Sequence, residues 1–393
     1  MSRQLINRSA DLKALMDDGY EVEVTAGYLV IHNVPYVSTD RQVKRGKLVS
    51  TLDLAGDVTT KPSTHIALFS GDFPCNRDGS PLRQLEHKNE VQKITDGLIV
   101  DRSFSNKPKD GYADYYAKMT TYIAIISGPA QVIDPDATAR THSVMENSDP
   151  ESPFNYIDNA SSRAGINAVS RKLEVPKVVI VGLGGTGSYV LDLIAKTPAG
   201  EIHLYDGDYL YQHNAFRTPG AASVEQLKAR QRKVEYLAEI YSRMHRGIVP
   251  HPYRIDETNV GELQDAAFVF LCVDNGAAKR PIVEALETFN LPFIDVGMGI
   301  ELFDDKLQGL LRVTTSAPGR RDHVHAKGRI SFDGGDDDGV YSTNIQVADL
   351  NALNAALAVV RFKRYLNFYA DLEGEYFSVY TLDGNRIDNA DVE

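Results

Sequence analysis

The chain has no tryptophan and only two cysteines, Cys75 and Cys272, in 393 residues. Two thiols cannot build a Cys₄ zinc site, and no CxxC pair is present, so structural zinc of that kind is excluded by count. Long apolar runs are also missing. TTYIAIISG and AAFVFLCV are strand-sized and far short of a membrane span. The start, MSRQLINRSADLKALMDD, lacks the apolar stretch of a signal peptide, and together these features read as a cytoplasmic protein without a membrane partner. Basic charge is in deficit: 42 Lys and Arg against 54 Asp and Glu give a net charge of −12, with no basic stripe. Nucleic acid is therefore not the expected partner.

The stretch at 177–195, KVVIVGLGGTGSYVLDLIA, is where the sequence speaks most clearly. A β-branched apolar strand meets a glycine turn and then an amphipathic segment. Gly182, Gly184 and Gly187 have the G-x-G-x-x-G spacing: a tight turn, a place for backbone to approach phosphate, and a close helix–strand contact. A helix starting at Ser188 would aim free N–H groups at an anion. The pattern by itself suits NAD, FAD, S-adenosylmethionine or ATP.

Residues further along the chain narrow the choice. EIHLYDGD reads as the second strand, with Asp206 at its end placed for a ribose hydroxyl. Asp208 comes next, and then Asn214 and Arg217 on the next loop, a polar pair that a dinucleotide oxidoreductase does not need. A helix predicted over 224–244 carries Lys233. The apolar strand AAFVFLCVDN ends in Asp274 and Asn275, and an acid there suits a Mg²⁺ ligand beside phosphates.

In this order the residues resemble the ThiF/MoeB/ubiquitin-activating family of adenylating enzymes. The family pattern is a GxGGxG loop, D-x-D, N-x-x-R, a helix lysine and D-N-x-x-x-R. It is matched by Gly182, Gly184, Gly185, Thr186 and Gly187, then Asp206 and Asp208, Asn214 and Arg217, Lys233, and Asp274 with Asn275. Lys279 stands where the family has arginine, with Arg280 beside it. The resemblance covers about residues 157–369. It implies an α/β fold, with a Rossmann-like ThiF/MoeB adenylation domain of mainly parallel sheet at 157–393, joined by a linker at 131–156 to a smaller N-terminal α+β domain at 1–130.

The activity so implied is ATP-dependent adenylation of the C-terminal carboxylate of a ubiquitin-like protein or peptide, for conjugation or sulfur transfer. Arg217 and Lys233 would clamp phosphates, Asp274 would hold Mg²⁺, Asp206 the ribose, the amides of 184–187 the nucleotide, and Asn214 the α-phosphate. Family dimers insert an arginine from the partner's amino-terminal helix. Arg163 is the candidate here, ahead of Arg171, so a homodimer is expected. Relatives with an extra N-terminal domain belong to bacterial ubiquitin-like conjugation systems, some in phage defence, which implies a downstream conjugating protein as a further partner. The competing readings are an NAD-dependent oxidoreductase on the same fold and a non-catalytic scaffold that binds a ubiquitin-like partner.

Smaller expectations complete the reading. In the N-terminal region, 8–16 suggests a helix, 20–24 and 28–32 a hairpin, and 47–54, 65–69 and 121–126 further strands. The polar stretch 134–153 reads as a linker, 319–344 as a charged loop over the incoming tail, and the helix beginning at 344 as long. FSVYTL reads as a closing edge strand and DGNRIDNADVE as a frayed tail. Cys75 lies in a Pro/Asn/Asp/Gly loop where an exposed thiol is conceivable. Cys272 reads as buried, and His323 and His325 as polar loop residues.

Overall fold

A computed structural model describes residues 5–6, 8–144, 150–332 and 345–392. Two compact units emerge: Met1–Met145 with Ser162–Ala164, and Glu146–Ser161 with Gly165–Glu393. Among the described residues no helix is long and apolar enough to cross a membrane. Part of the polar 134–153 stretch, 145–149, and part of the loop expected over the incoming tail, 333–344, lie outside the described residues.

In the first unit, helix α1 (Ala10–Asp17) precedes strands β1 (Val22–Thr25), β2 (Tyr28–Val37), β3 (Val43–Thr51), β4 (Ile66–Ser70), β5 (Glu86–Lys88) and β6 (Arg102–Ser105), then helix α2 (Tyr115–Ile133). The sheet is antiparallel throughout, in the order β1-β2-β3-β4-β6-β5. The expected strand at 121–126 is instead the middle of α2. The apolar residues Met119, Tyr122, Ile123, Ile126 and Ala130 repeat at helical spacing and are buried, and Asp114 caps the start by accepting from the Ala117 N–H at 2.7 Å.

The second unit holds one eight-stranded sheet with helices on both faces. Its elements are β7 (Lys177–Val181), α3 (Gly185–Ile194), β8 (Glu201–Tyr205), α4 (Gln212–Ala215), α5 (Val224–Ala229), α6 (Lys233–Tyr241), β9 (Ile248–His251), β10 (Phe268–Leu271), α7 (Gly276–Thr288), β11 (Phe293–Phe303), β12 (Lys306–Ser316), α8 (Ala348–Tyr365), β13 (Phe377–Thr381) and β14 (Arg386–Ala390). The order is β9-β8-β7-β10-β11-β12-β13-β14. From β9 to β11 every pairing is parallel, and from β11 to β14 every pairing is antiparallel. The sheet is thus mixed, with four of its seven pairings parallel, in keeping with the mainly parallel sheet expected. Val178 and Ile180 pack with α3, α6 and α8 on one face, and Val179 and Val181 with α7 on the other, so β7 is apolar on both sides.

Two further expectations are corrected. The helix predicted over 224–244 breaks at Arg230, whose backbone is left-handed (φ 50°), and restarts at Lys233. The supposed frayed tail forms the edge strand β14, paired along its length with β13, and the adjoining Asp391 binds Lys327 and Arg329.

Lys118 on α2 is fully buried, its ammonium donating to Ser50 Oγ and the Thr64 carbonyl at 2.8 Å each. Burial holds it down to about 8, with the charge of Asp53 offsetting part of that push. An unfolded lysine stays protonated to about pH 10.4. Between these values the unfolded chain binds the extra proton, so stability rises with pH, by up to about 3 kcal/mol. Melting curves at pH 7.5 and 10 should show this rise in the wild type and lose it in Lys118→Met.

Candidate active site

The parallel strands run outward from β7 in both directions, to β8 and β9 on one side and to β10 on the other. The crevice at the carboxyl ends of β7 and β10 is therefore the topological switch point where open α/β sheets bind ligands. The glycine loop fills it. Gly182 has φ +91°, and a Cβ there would stand 2.7 Å from the Cys272 carbonyl oxygen; a Cβ on Gly187 would stand 1.9 Å from the Gly182 oxygen. Gly184 faces open space. Helix α3 begins at Gly185, three residues before the expected Ser188, whose hydroxyl instead donates to the Gly185 carbonyl inside the helix.

Asp206 organises the next layer. One carboxylate oxygen accepts the Leu183 N–H at 2.7 Å and the other the Asp208 N–H at 2.8 Å, and the residue is nearly buried. Asp208 then takes Lys233 Nζ at 2.9 Å and Arg254 Nη2 at 2.8 Å. Burial pushes the Asp208 carboxyl up, but those two cations outweigh it and hold it below the usual range. The helix break delivers Lys233: its N–H donates to the Asp208 carbonyl at 3.0 Å, and Leu210 N–H to the Gln231 carbonyl at 2.9 Å. Of the neighbouring cations, Arg232 donates to the Gly207 carbonyl and stacks 3.9 Å over Tyr209.

Asn214 is buried, and its Oδ1 accepts the Tyr211 N–H at 2.9 Å, which fixes the turn that presents Arg217. Arg217 is half-buried, makes no ion pair among the described residues, and its Nε is buried without a partner. Asn351 on α8 joins this turn to the glycine loop. It accepts from Thr186 Oγ1 at 3.0 Å and donates to the Arg217 carbonyl at 3.4 Å. Asp274 is exposed just past β10, within electrostatic reach of Arg254, and Asn275 caps α7 by accepting from the Ala278 N–H at 3.1 Å.

Other expected residues lie elsewhere. The Lys279 ammonium is buried against Asp295 at 2.6 Å, so it faces the sheet interior. Arg163 is exposed at the end of a short helix, Asn159–Arg163, which Gly165 separates from the helical turn Asn167–Ser170; Arg171 is exposed too. His323 hydrogen-bonds the Thr315 carbonyl and His325 hydrogen-bonds Glu287, so the two do not share a partner. Cys75 is fully buried, its thiol donating to the Phe73 carbonyl at 3.3 Å. Burial, with Asp78 and Asp72, pushes that thiol up, so the exposed thiol conceivable from its loop is not what forms. Asn351, Arg254 and Asp295 were not singled out in the sequence. Asn351 has a weak signal there, as one of the few polar residues, with Asn354 and Arg361, on the buried face of its helix.

Residues 156–317 match the ThiF family model, and residues 10–159 a domain of unknown function (DUF6791). The 156–317 region is a ThiF-family domain. Ubiquitin-like modifier-activating enzyme 5 of Drosophila mojavensis is 26% identical over 132 residues, 31% of this chain and 33% of that protein. Its counterpart in Culex quinquefasciatus is 24% identical over 150 residues, 35% and 38% respectively. The chain thus spans about a third of the length of the curated relatives it matches. Among solved structures, E. coli MccB with ATP is 19% identical, covering 59% of this chain and 71% of that one at a TM-score of 0.46. MccB with AMPCPP and selenomethionyl MccA is 17% identical, covering 71% and 82% at 0.46.

Asn351, on α8, links the glycine loop to the arginine turn. Asn351→Ala should release both, at a cost of about 1–2 kcal/mol for the two lost hydrogen bonds. Denaturant melts of the variant and the wild type check this.

Proposed function

We propose that this ThiF domain adenylates the C-terminal carboxylate of a ubiquitin-like protein or peptide, using ATP. The observation that carries the reading is Arg217: a half-buried guanidinium without an anionic partner among the described residues, pinned by Asn351 beside a glycine loop whose open face is at Gly184. A guanidinium whose buried Nε lacks an acceptor is costly unless a ligand supplies one, and loop N–H groups at a helix start suit phosphate. The relatives' name, activation of ubiquitin-like modifiers, agrees with this.

In the reaction one oxygen of the tail carboxylate attacks the α-phosphorus. The O–P bond forms, the bond to the bridging oxygen breaks, and pyrophosphate leaves with the electron pair. No protein nucleophile or proton transfer is needed, so the residues act by position and charge. Arg217 would hold the phosphates, and Lys233, paired with Asp208, is the second cation of the crevice. Asp274 fits a Mg²⁺ site of the usual kind, one carboxylate completed by phosphates and water. When bound, Mg²⁺ supplies charge neutralisation at the phosphates. Asp206, with both oxygens on backbone N–H groups, keeps the loop in shape and can still accept from a ribose hydroxyl. A homodimer with Arg163 as a partner-supplied finger, a cytoplasmic setting and a bacterial ubiquitin-like conjugation pathway belong to the same proposal.

Arg217→Ala should lower ATP–pyrophosphate exchange on the order of 10²–10³-fold, as removal of one transition-state donor does; exchange within threefold of wild type would refute its role. The buried, base-free Cys75 predicts that no thiol-sensitive adduct forms on this chain. A non-reducing gel of wild type and Cys75→Ser, with ATP and the activated partner, should show the same single band for both.

A further inference from the structure

The edge of the parallel half of the sheet carries two histidines that adenylation as described leaves unused. Strand β9 is the outermost strand, and it ends at His251, opposite Tyr205 on β8. Two backbone bonds at that point reach the crevice: the Gly182 N–H donates to the Tyr205 carbonyl at 2.8 Å, and the Asp206 N–H to the His251 carbonyl at 3.3 Å. Side chains reinforce the same pair of residues. The His251 ring stacks on Tyr205, with centroids 4.1 Å apart and planes 4° apart. It also reaches diagonally to His203, two residues back on β8, with its Nε2 2.9 Å from His203 Nδ1. The centroids of those two imidazoles are 5.1 Å apart, which with so short a nitrogen contact places the rings end to end.

The contacts around the two histidines form one hydrogen-bonded row. His203 Nε2 is 2.9 Å from Glu201 Oε2, and His251 Nδ1 is 3.2 Å from the Tyr253 hydroxyl, which is 2.8 Å from Glu262 Oε2. The Tyr205 hydroxyl donates to the same Glu262 oxygen at 3.3 Å. An ionised Glu201 only accepts, so His203 donates to it from Nε2 and keeps a bare Nδ1 for the His251 Nε2–H. One further proton fits. Placed on His251 Nδ1, it donates to Tyr253, whose own hydrogen then goes to Glu262. A second does not fit, because an N–H on His203 Nδ1 would face the N–H on His251 Nε2, two cations end to end. The other charges nearby, Lys177 and Asp265, pair with each other at 2.6 Å. Burial, His203 and Lys177 hold the His251 imidazole below its usual range, against the pull of Glu262.

We propose that His203 and His251 are positioning residues: their shared hydrogen bond clamps the end of β9 to β8, holding Gly182 and Asp206 for the nucleotide, and protonation of both imidazoles opens the clamp. The proposal rests on the reading of the crevice as a nucleotide site. Because β9 lies at the edge, among the described residues no outer strand keeps its end in place once the imidazoles repel. Adenylation itself takes up no proton here, so the clamp sets the acid limit of nucleotide binding and not the chemistry.

The test compares the full chain with His203→Gln from about pH 7.5 to about pH 5, across the ordinary imidazole value of about 6.5. A glutamine there accepts from His251 Nε2 and donates to Glu201, so the row survives without the second ionisation. Calorimetric titration with ATP should show wild-type affinity falling further than the variant's over this range, by about fivefold or more, the low end of ordinary coupling between sites; protonation of ATP is common to both. NMR of the ligand-free wild type, labelled at histidine nitrogens and at backbone amides, should show the two imidazoles titrating in separate steps. The Leu183 and Asp208 amides, which Asp206 holds, should shift with the later step. That measurement decides the matter if the glutamine variant does not fold. Equal pH dependence of ATP affinity in the two proteins, or Leu183 and Asp208 amides indifferent to the imidazoles, overturns the proposal. A wild type that binds no ATP at any pH, yet couples those amides to the imidazoles, would sink the nucleotide reading and leave the clamp standing.

Discussion

The site depends on the hydrogen bond from the Leu183 N–H to the Asp206 carboxylate. It ties the glycine turn after β7 to the end of β8, in a place almost shut off from water, where a charged acceptor is worth more than on the surface. The second oxygen of Asp206 sets the Asp208 N–H, Asp208 orients Lys233, and the backbone of Lys233 returns to Asp208. One buried acid thus converts a flexible glycine run and two loops into a fixed cradle. The break at Arg230 belongs to the same device, because an unbroken helix over 224–244 would leave Lys233 in its middle with no free N–H to give to Asp208.

Much of this was legible in the residues because the signals are local. A β-branched strand, glycines at fixed offsets and acids at strand ends report on a few residues each, and the structure gathers those residues around one crevice. The failures share a different cause. The apolar run at 121–126 has no period of its own at that length, and only the wider register from Met119 to Ala130 reveals a helix. The edge strand β14 is polar, so its sequence carries no burial pattern. It is held by hairpin pairing to β13 and by Asp391 reaching Lys327 and Arg329, the latter contacts made across a long stretch of chain.

The crevice was legible where its residues form a spaced series and illegible where they do not. Arg217 and Lys233 belong to a spaced series, whereas Asn351 and Arg254 come from a helix and a loop outside it. Lys279 shows the difference within one residue. Its position in the series pointed to the nucleotide, and the carboxylate of Asp295, supplied by the next strand, turned its ammonium inward.

The proposed reaction would bring two anions together, and the charge of the chain bears on it. A net charge of −12 would repel both ATP and a carboxylate tail at long range, so local cations must overcome it at the crevice. Lys233 meets this need from beneath two aspartates, which hold it in place and temper its field. Arg312 is tied to a single aspartate that is shared with Lys279, so that cluster retains a unit of positive charge. The glycine loop is pinned to Asp206 through Leu183 and to Asn351 through Thr186, and leaves Gly184 open. Attraction strong enough to gather two anions would also trap the products if every cation were unpaired. Sharing Asp206, Asp208 and Asp295 among the cations keeps their charge in place while limiting its excess.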